Sequence, residues 1–119
     1  VTKSANQMIV GLTIGAVAEA LALAEATGAD PAKVREALFG GFASSRILEL
    51  HGKRMVEETF TPGGRAAVQL KDINQALELA KHIGIELSGL EANKALWVKM
   101  MDAGWGELDH SALIKVIKK

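Results

Sequence analysis

From Lys3 to Thr27 the chain is apolar with few interruptions: KSANQMIVGLTIGAVAEALALAEAT contains no proline, and only Gly11 and Gly15 break a series of helix formers. The run predicts one helix over 3–27, roughly 38 Å long at about 1.5 Å per residue. Its body is apolar nearly all round, the pattern of a helix enclosed by other helices. Gly11, Gly15, Ala16, Ala18, Ala20, Ala22 and Ala24 would let those neighbours approach closely. The first turn is the polar exception. Lys3, Asn6 and Gln7 fall at i, i+3 and i+4 and share one face, which continues inward as Val10, Ile14 and Leu21.

Beyond Thr27 the pattern turns amphipathic and is punctuated. Gly28 ends the first helix as a left-handed cap. Asp30 then caps a second helix with Pro31 at its first position, running to about Phe39 with Val34, Ala37 and Leu38 inward. Gly40-Gly41-Phe42-Ala43 breaks it. Ser44 or Ser45 caps a third helix to about Glu57, with Ile47, Leu48, His51 and Met55 inward. Pro62-Gly63-Gly64 is the strongest punctuation in the chain. A fourth helix spans about 66–83, with Leu70, Ile73, Leu77 and Ala80 at helical spacing and Gly84 at its end. Ser88 and Glu91 make a capping box for a fifth, which carries Leu96, Trp97, Met100 and Met101 to Ala103. After Gly104-Trp105-Gly106, Asp109 caps a last helix holding Leu113, Val116 and Ile117. No segment alternates convincingly enough for a strand. The expected fold is all-α, about six helices around one long central helix, in a single domain over 1–119.

Composition narrows the functional classes. The 119 residues suffice for one core and are short for a complete nucleotide-dependent enzyme. Lysine plus arginine balance aspartate plus glutamate at 14 and 14, so no net field calls for nucleic acid or an acidic membrane. A membrane span needs about 20 apolar residues; Met8 to Ala24 gives 17 with Glu19 inside, which favours a core helix. Without cysteine there are no disulfides or thiolate metal sites, a composition compatible with the cytoplasm. No signal-peptide cleavage site follows the apolar run. A start at Val1, directly into a helix, suggests a piece of something longer.

The chain carries neither G-x-G-x-x-G after a strand nor G-x-x-x-x-G-K-[ST], and Gly40-Gly41 reads as a helix-to-helix turn. His51, His82 and His110 lie on three helices without the i, i+4 spacing of a zinc pair, so no metal is expected. His51 reads as a satisfied core histidine, His82 as a cation suited to a helix end, and His110 as neutral at a helix start. Two lysines stand out by position. Lys3 projects from the entrance of the central helix, and Lys71, beside Asp72, comes early in the fourth helix. A lysine at a pocket edge can protonate a developing alkoxide. On spacing alone, a solvated helix start and a surface ion pair are the simpler readings.

Four stretches in order shift that balance. TKSANQ leads into the apolar helix, followed by AVAEALALAEATGADPAKVREALFGGFASSRIL, FTPGGRAAVQLKDINQALELA and GELDHSAL. Together they resemble the carboxy-terminal domain of the β-hydroxyacid dehydrogenases, which include 3-hydroxyisobutyrate dehydrogenase and 2-hydroxy-3-oxopropionate (tartronate semialdehyde) reductase and are related to 6-phosphogluconate dehydrogenase. The likeness covers essentially the whole chain. The Lys-x-x-Asn-Gln start, the Gly-Gly-x-Ala-x-Ser turn and the Asp-His-Ser-Ala-Leu end most resemble the tartronate semialdehyde reductase branch.

The resemblance implies a helical domain like the carboxy-terminal domain of 6-phosphogluconate dehydrogenase, partnered by an amino-terminal Rossmann domain that binds NAD or NADP. It implies that Lys3 is the catalytic lysine, that Asn6 or Gln7 holds the substrate, and that Lys71 of the Lys-Asp-Ile motif reaches toward the cofactor. Relatives often carry leucine at Ile73, an aromatic at Gly64 and a histidine at Gln69. The implied reaction reduces a small aldehyde acid to a hydroxy acid, in a cytoplasmic homo-oligomer. A 3-hydroxyisobutyrate dehydrogenase is the alternative within the family. A helical dimerisation module without activity of its own is the alternative outside it.

Overall fold

The computed structural model describes residues 1–61 and 63–118; Pro62 of the predicted Pro-Gly-Gly punctuation lies outside them. The long apolar run forms a single helix, α1 (Thr2–Ala26). It stops where Gly28 takes φ +91°, in the left-handed region, and Ala29 N–H returns to the carbonyl of Ala24 at 3.0 Å. A Cβ on Gly28 would meet nothing within 4 Å, so what demands glycine here is backbone conformation rather than space.

Helix α2 (Pro31–Leu38) starts as its residues predict, with the Asp30 carboxylate accepting from Ala32 N–H. Ala37, expected inward, is exposed; α2 rests on the core through Val34 and Leu38. Of the two candidate serines, Ser45 caps α3 (Arg46–Glu57), accepting from Leu48 N–H at 2.9 Å. Helix α4 (Ala66–Ile83) ends at Gly84, φ +78°. Helix α5 (Ser88–Asp102) departs from expectation at its start. Leu87 is the cap, Ser88 is already helical, and the capping box does not form. Glu91 N–H bonds to the Leu87 carbonyl at 2.9 Å, so the main chain sets the boundary one residue early. The last predicted helix is two pieces: a 3₁₀ turn (His110–Leu113), capped by Asp109, runs into α6 (Ile114–Lys118).

Helix α1 is the centre of the fold and touches all the other helices and the 3₁₀ turn. Its Ile14, Ala18 and Leu21 are buried in one cluster with Leu48, Met55, Ile73, Trp97, Met100 and Leu113. Burying each of the larger side chains contributes roughly 1.5–3 kcal/mol. The enclosure is one-sided, however. Ile9 and Leu23 are 65% and 67% exposed, because the other helices wrap only one face of α1. By length and composition α1 could cross a membrane, but its buried face is the core of this domain. Met101 of α5, expected inward, is exposed as well.

The glycines of α1 serve a more specific purpose than close helix packing. A Cβ on Gly11 would lie 2.9 Å from Gln69 Nε2, and one on Gly15 would lie 2.7 Å from Asn93 Nδ2. Side-chain amides of α4 and α5 therefore reach the α1 backbone through the gaps. Asn93 Nδ2 donates to the Gly11 carbonyl at 3.1 Å, and Trp97 Nε1 donates to Asn93 Oδ1 at 2.9 Å. The wholly buried indole is thereby satisfied.

Candidate functional site

Two polar clusters stand out, both assembled from distant parts of the chain. The first lies where the first turns of α1 and α4 meet. Lys3 and Asn6 are exposed, Gln7 is half-buried, and Lys71 is exposed on α4. Asp72 points the other way and is buried. It is therefore not the ion-pair partner of Lys71, and the surface-pair reading is corrected. Its carboxylate instead accepts from Gln7 Nε2 at 2.7 Å, and that bond joins the two predicted halves of the site. Asn6 Nδ2 donates to Gln7 Oε1 at 3.1 Å, and Gln69 Nε2 donates to the Gln7 carbonyl at 2.9 Å. Neither Lys3 nor Lys71 forms an ion pair with the described residues. Both ammonium groups remain available to a ligand. A shallow groove lined by Leu70, Lys71, Asn74 and Glu78 runs beside Lys71. A cavity of about 730 Å³ elsewhere, between the end of α4 and the start of α5, includes none of the predicted site residues.

The second cluster is His51, Asp109 and His110, whose potential ligand atoms lie within 4.8 Å of one another. Asp109 is fully buried, and both its oxygens are engaged. Oδ1 accepts from the N–H groups of Gly63 and Gly64 at 3.1 Å each, and Oδ2 accepts from Ser111 N–H and its hydroxyl. Burial alone would raise this carboxyl; the Ser111 and glycine hydrogen bonds outweigh it and hold the pKa at about 2. With its acceptors committed, the carboxylate is not a metal ligand, and the two imidazoles alone make a poor cation site beside the Arg54 guanidinium, 3.5 Å from Asp109.

His51 Nε2 and His110 Nε2 are 3.2 Å apart and share one hydrogen bond. His51 Nδ1 faces Asp109 Oδ2 at 3.7 Å, too far for a hydrogen bond. A proton on Nδ1 is favoured by that carboxylate, which leaves Nε2 to accept from His110. His51 is thus not the satisfied core histidine expected, since Nδ1 has no partner among the described residues. Burial lowers the pKa of both imidazoles, against the opposing pull of Asp109, and His51 lowers that of His110 further. His110 is neutral, as its position predicted. Its ring also explains Gly64, where a Cβ would come within 3.1 Å of His110 Cε1.

Similarity to known proteins shows the family of the chain. A family profile described as "NAD-binding of NADP-dependent 3-hydroxyisobutyrate dehydrogenase" matches residues 1–117. The chain belongs to this family, the β-hydroxyacid dehydrogenases. Among its β-hydroxyacid dehydrogenase relatives, the 2-hydroxy-3-oxopropionate reductase of Escherichia coli (strain K12) is 49% identical over 116 residues, 98% of this chain and 40% of that protein. A probable mitochondrial 3-hydroxyisobutyrate dehydrogenase-like protein of Arabidopsis thaliana is 32% identical over 98% of the chain and 38% of its own length. The crystal structure of a 3-hydroxyisobutyrate dehydrogenase from Salmonella typhimurium superposes with a TM-score of 0.93 at 26% identity, over 97% of this chain and 40% of that one. The all-α fold is therefore that of a family domain, and the chain spans about 40% of the length of such relatives.

Sequence reasoning missed Asp72, Gln69 and the His51–Asp109–His110 cluster. A signal for the first two was present. Ala66, Gln69, Ile73, Ala76 and Ala80 repeat at three- and four-residue steps, and Asp72 lies three beyond Gln69 and four before Ala76; all six are buried. The histidine cluster has no local signal, because 59 residues separate its two rings.

Proposed function

We propose that this chain is the substrate-binding and catalytic-lysine domain of an NAD(P)-dependent 2-hydroxy-3-oxopropionate (tartronate semialdehyde) reductase of the cytoplasm. The observation that carries the reading is the Lys3–Asn6–Gln7 edge, with its unpaired ammonium facing outward, in a chain 49% identical to a reductase of that name. The described residues include no strand–glycine–helix cradle for a dinucleotide. The cofactor, NAD or NADP, is accordingly held mainly by a Rossmann domain outside these 119 residues. Lys71, an exposed cation beside a groove, fits a supporting contact to it.

The nicotinamide, when bound, supplies the hydride for the aldehyde carbon. Lys3 gives a proton to the carbonyl oxygen as negative charge develops there, which gives the hydroxyl group of the product. An amide of the first turn orients the substrate beside it. The uncovered apolar side of α1, with Ile9 and Leu23, supports contact with the Rossmann domain or a second copy. A 3-hydroxyisobutyrate dehydrogenase, which would run the same hydride and proton exchange on that hydroxy acid, is a second reading, favoured by the Salmonella structure.

The test is a substrate panel on the protein that carries this chain together with its dinucleotide-binding domain. Tartronate semialdehyde should give the highest kcat/KM with NADH or NADPH. Lys71→Ala should raise the KM for the cofactor more than that for the substrate. Higher kcat/KM for 3-hydroxyisobutyrate oxidation would select the second reading, and no turnover with either would remove both.

A further inference from the structure

The first turn of α1 offers two amides to a ligand beside Lys3, but they are not equivalent. Gln7 is engaged at both ends of its amide: Nε2 donates to Asp72 and Oε1 accepts from Asn6. Its main-chain carbonyl is held as well, by Gln69. Asn6 is exposed and spends one amide hydrogen on Gln7, and its Oδ1 has no partner among the described residues.

The orientation of both amides follows from one carboxylate. An ionised carboxylate only accepts hydrogen bonds, so the buried Asp72 compels Gln7 to present Nε2 to it. Gln7 Oε1 is then turned toward Asn6. That oxygen too only accepts, so Asn6 must present Nδ2 to it. What Asn6 leaves outward is one N–H donor and one carbonyl acceptor, a pair that suits a hydroxyl group, which needs one of each. The 2.7 Å bond from Gln7 to Asp72 is charge-assisted and therefore the strong member of the chain.

We infer that Asp72 is a positioning residue, fixing Gln7 and through it Asn6, and that Asn6 rather than Gln7 contacts the hydroxyl of the small hydroxy acid. This rests on the reductase reading of the site. It assigns substrate contact to the residue three positions after Lys3, with the residue four after it as its support.

Steady-state kinetics of the whole enzyme tests the relay. Asn6→Ala should raise the KM for the hydroxy or aldehyde acid by about tenfold, the upper value of one neutral hydrogen bond, with the cofactor KM little changed. Asp72→Ala should raise the same constant by about three- to tenfold. Asp72→Asn keeps an acceptor for Gln7 and should recover most of the loss. In an Asn6→Ala background Asp72→Ala should add less than about twofold, because its effect passes through Asn6. Gln7→Leu cuts the same link from the other side and replaces Asp72→Ala if that variant does not fold.

The inference is overturned if Asp72→Ala and Gln7→Leu leave the substrate KM unchanged, or if Asp72→Ala adds its full effect on top of Asn6→Ala. Lys3→Ala and Asn6→Ala serve as controls for the underlying reading. If both are kinetically silent, the reductase site itself is misplaced. If both are damaging while Asp72 and Gln7 variants are silent, only the relay falls.

Discussion

The edge at Lys3, Asn6 and Gln7 and the knot at His51, Asp109 and His110 are both polar, and both are built by side chains meeting across long sequence separations. They differ in what remains unspent. In the knot, Asp109 has its two oxygens filled by Gly63, Gly64 and Ser111, the imidazoles bond each other, and His51 Nδ1, which has no partner among the described residues, is buried rather than facing outward. In the edge, two ammonium groups and most of the Asn6 amide have no partner among the described residues. A cluster with its valences used inside the fold stabilises the fold; one with valences facing outward can bind. Residue type alone would have ranked the two the other way, since His-Asp-His has the more familiar catalytic chemistry.

The largest effect separating them is expected at Asp109. Asp109→Ala leaves the N–H groups of Gly63, Gly64 and Ser111 without their acceptor in a buried site. A loss on the order of 3 kcal/mol or more should follow in urea denaturation, given the cost of stranded buried donors. A variant of nearly native stability would show the knot to be dispensable.

The pH dependence should divide the clusters next. Both knot histidines have lowered pKa values in the fold, so the unfolded chain binds more protons once pH drops below their ordinary 6.5. Stability should therefore fall as pH decreases below that point. Asp109 adds a second decline, from its ordinary 3.8 down to about 2, worth about 2 kcal/mol. Melting midpoints that stay level from pH 7 to pH 3 would contradict this account of the knot.

Smaller effects test local boundaries that lie outside both clusters. Gly28→Ala should cost roughly 1 kcal/mol, because φ +91° disfavours any side chain. Ser45→Ala should cost about 1 kcal/mol through the lost cap on Leu48 N–H. Ser88→Ala should stay within about 0.5 kcal/mol, as it makes no cap. Thermal melts of the three rank them, and a loss at Ser88 as large as that at Ser45 would restore the capping box.

What the sequence made legible was local. The apolar run of α1, the Asp30 and Ser45 caps and the glycine stops at Gly28 and Gly84 each depend on residues within a turn of one another. Helix α4 shows where that ends. Arg65 gives it no side-chain cap; the N–H groups of Ala66 and Ala67 go instead to the carbonyls of Leu108 and Gly106, about forty positions away. Asp72 was half legible, since its place on the inward stripe could be counted but its partner Gln7 could not. The pairing of His51 with His110, and the resulting need for Gly64, arises only when α3 meets the 3₁₀ turn. Lys3, Asn6 and Gln7 stood out as a polar first turn and Lys71 by its place early in the fourth helix, while their roles came from resemblance; the fold brings the two segments together through Asp72.

The most direct measurement is turnover of Lys3→Ala in the proposed reductase, this chain joined to a dinucleotide-binding domain, with a thermal melt alongside. Lys3 is exposed and makes no ion pair with the described residues, so its removal should leave the melting midpoint unchanged. If it is the proton donor, kcat should drop by about 100- to 10,000-fold while the cofactor KM barely moves. Lys3→Arg should not restore it, because a guanidinium does not release its proton near neutral pH. A Lys3→Ala enzyme that keeps more than about a tenth of the parent turnover, below the smallest effect of a general acid, would contradict the account and return this edge to a solvated helix start.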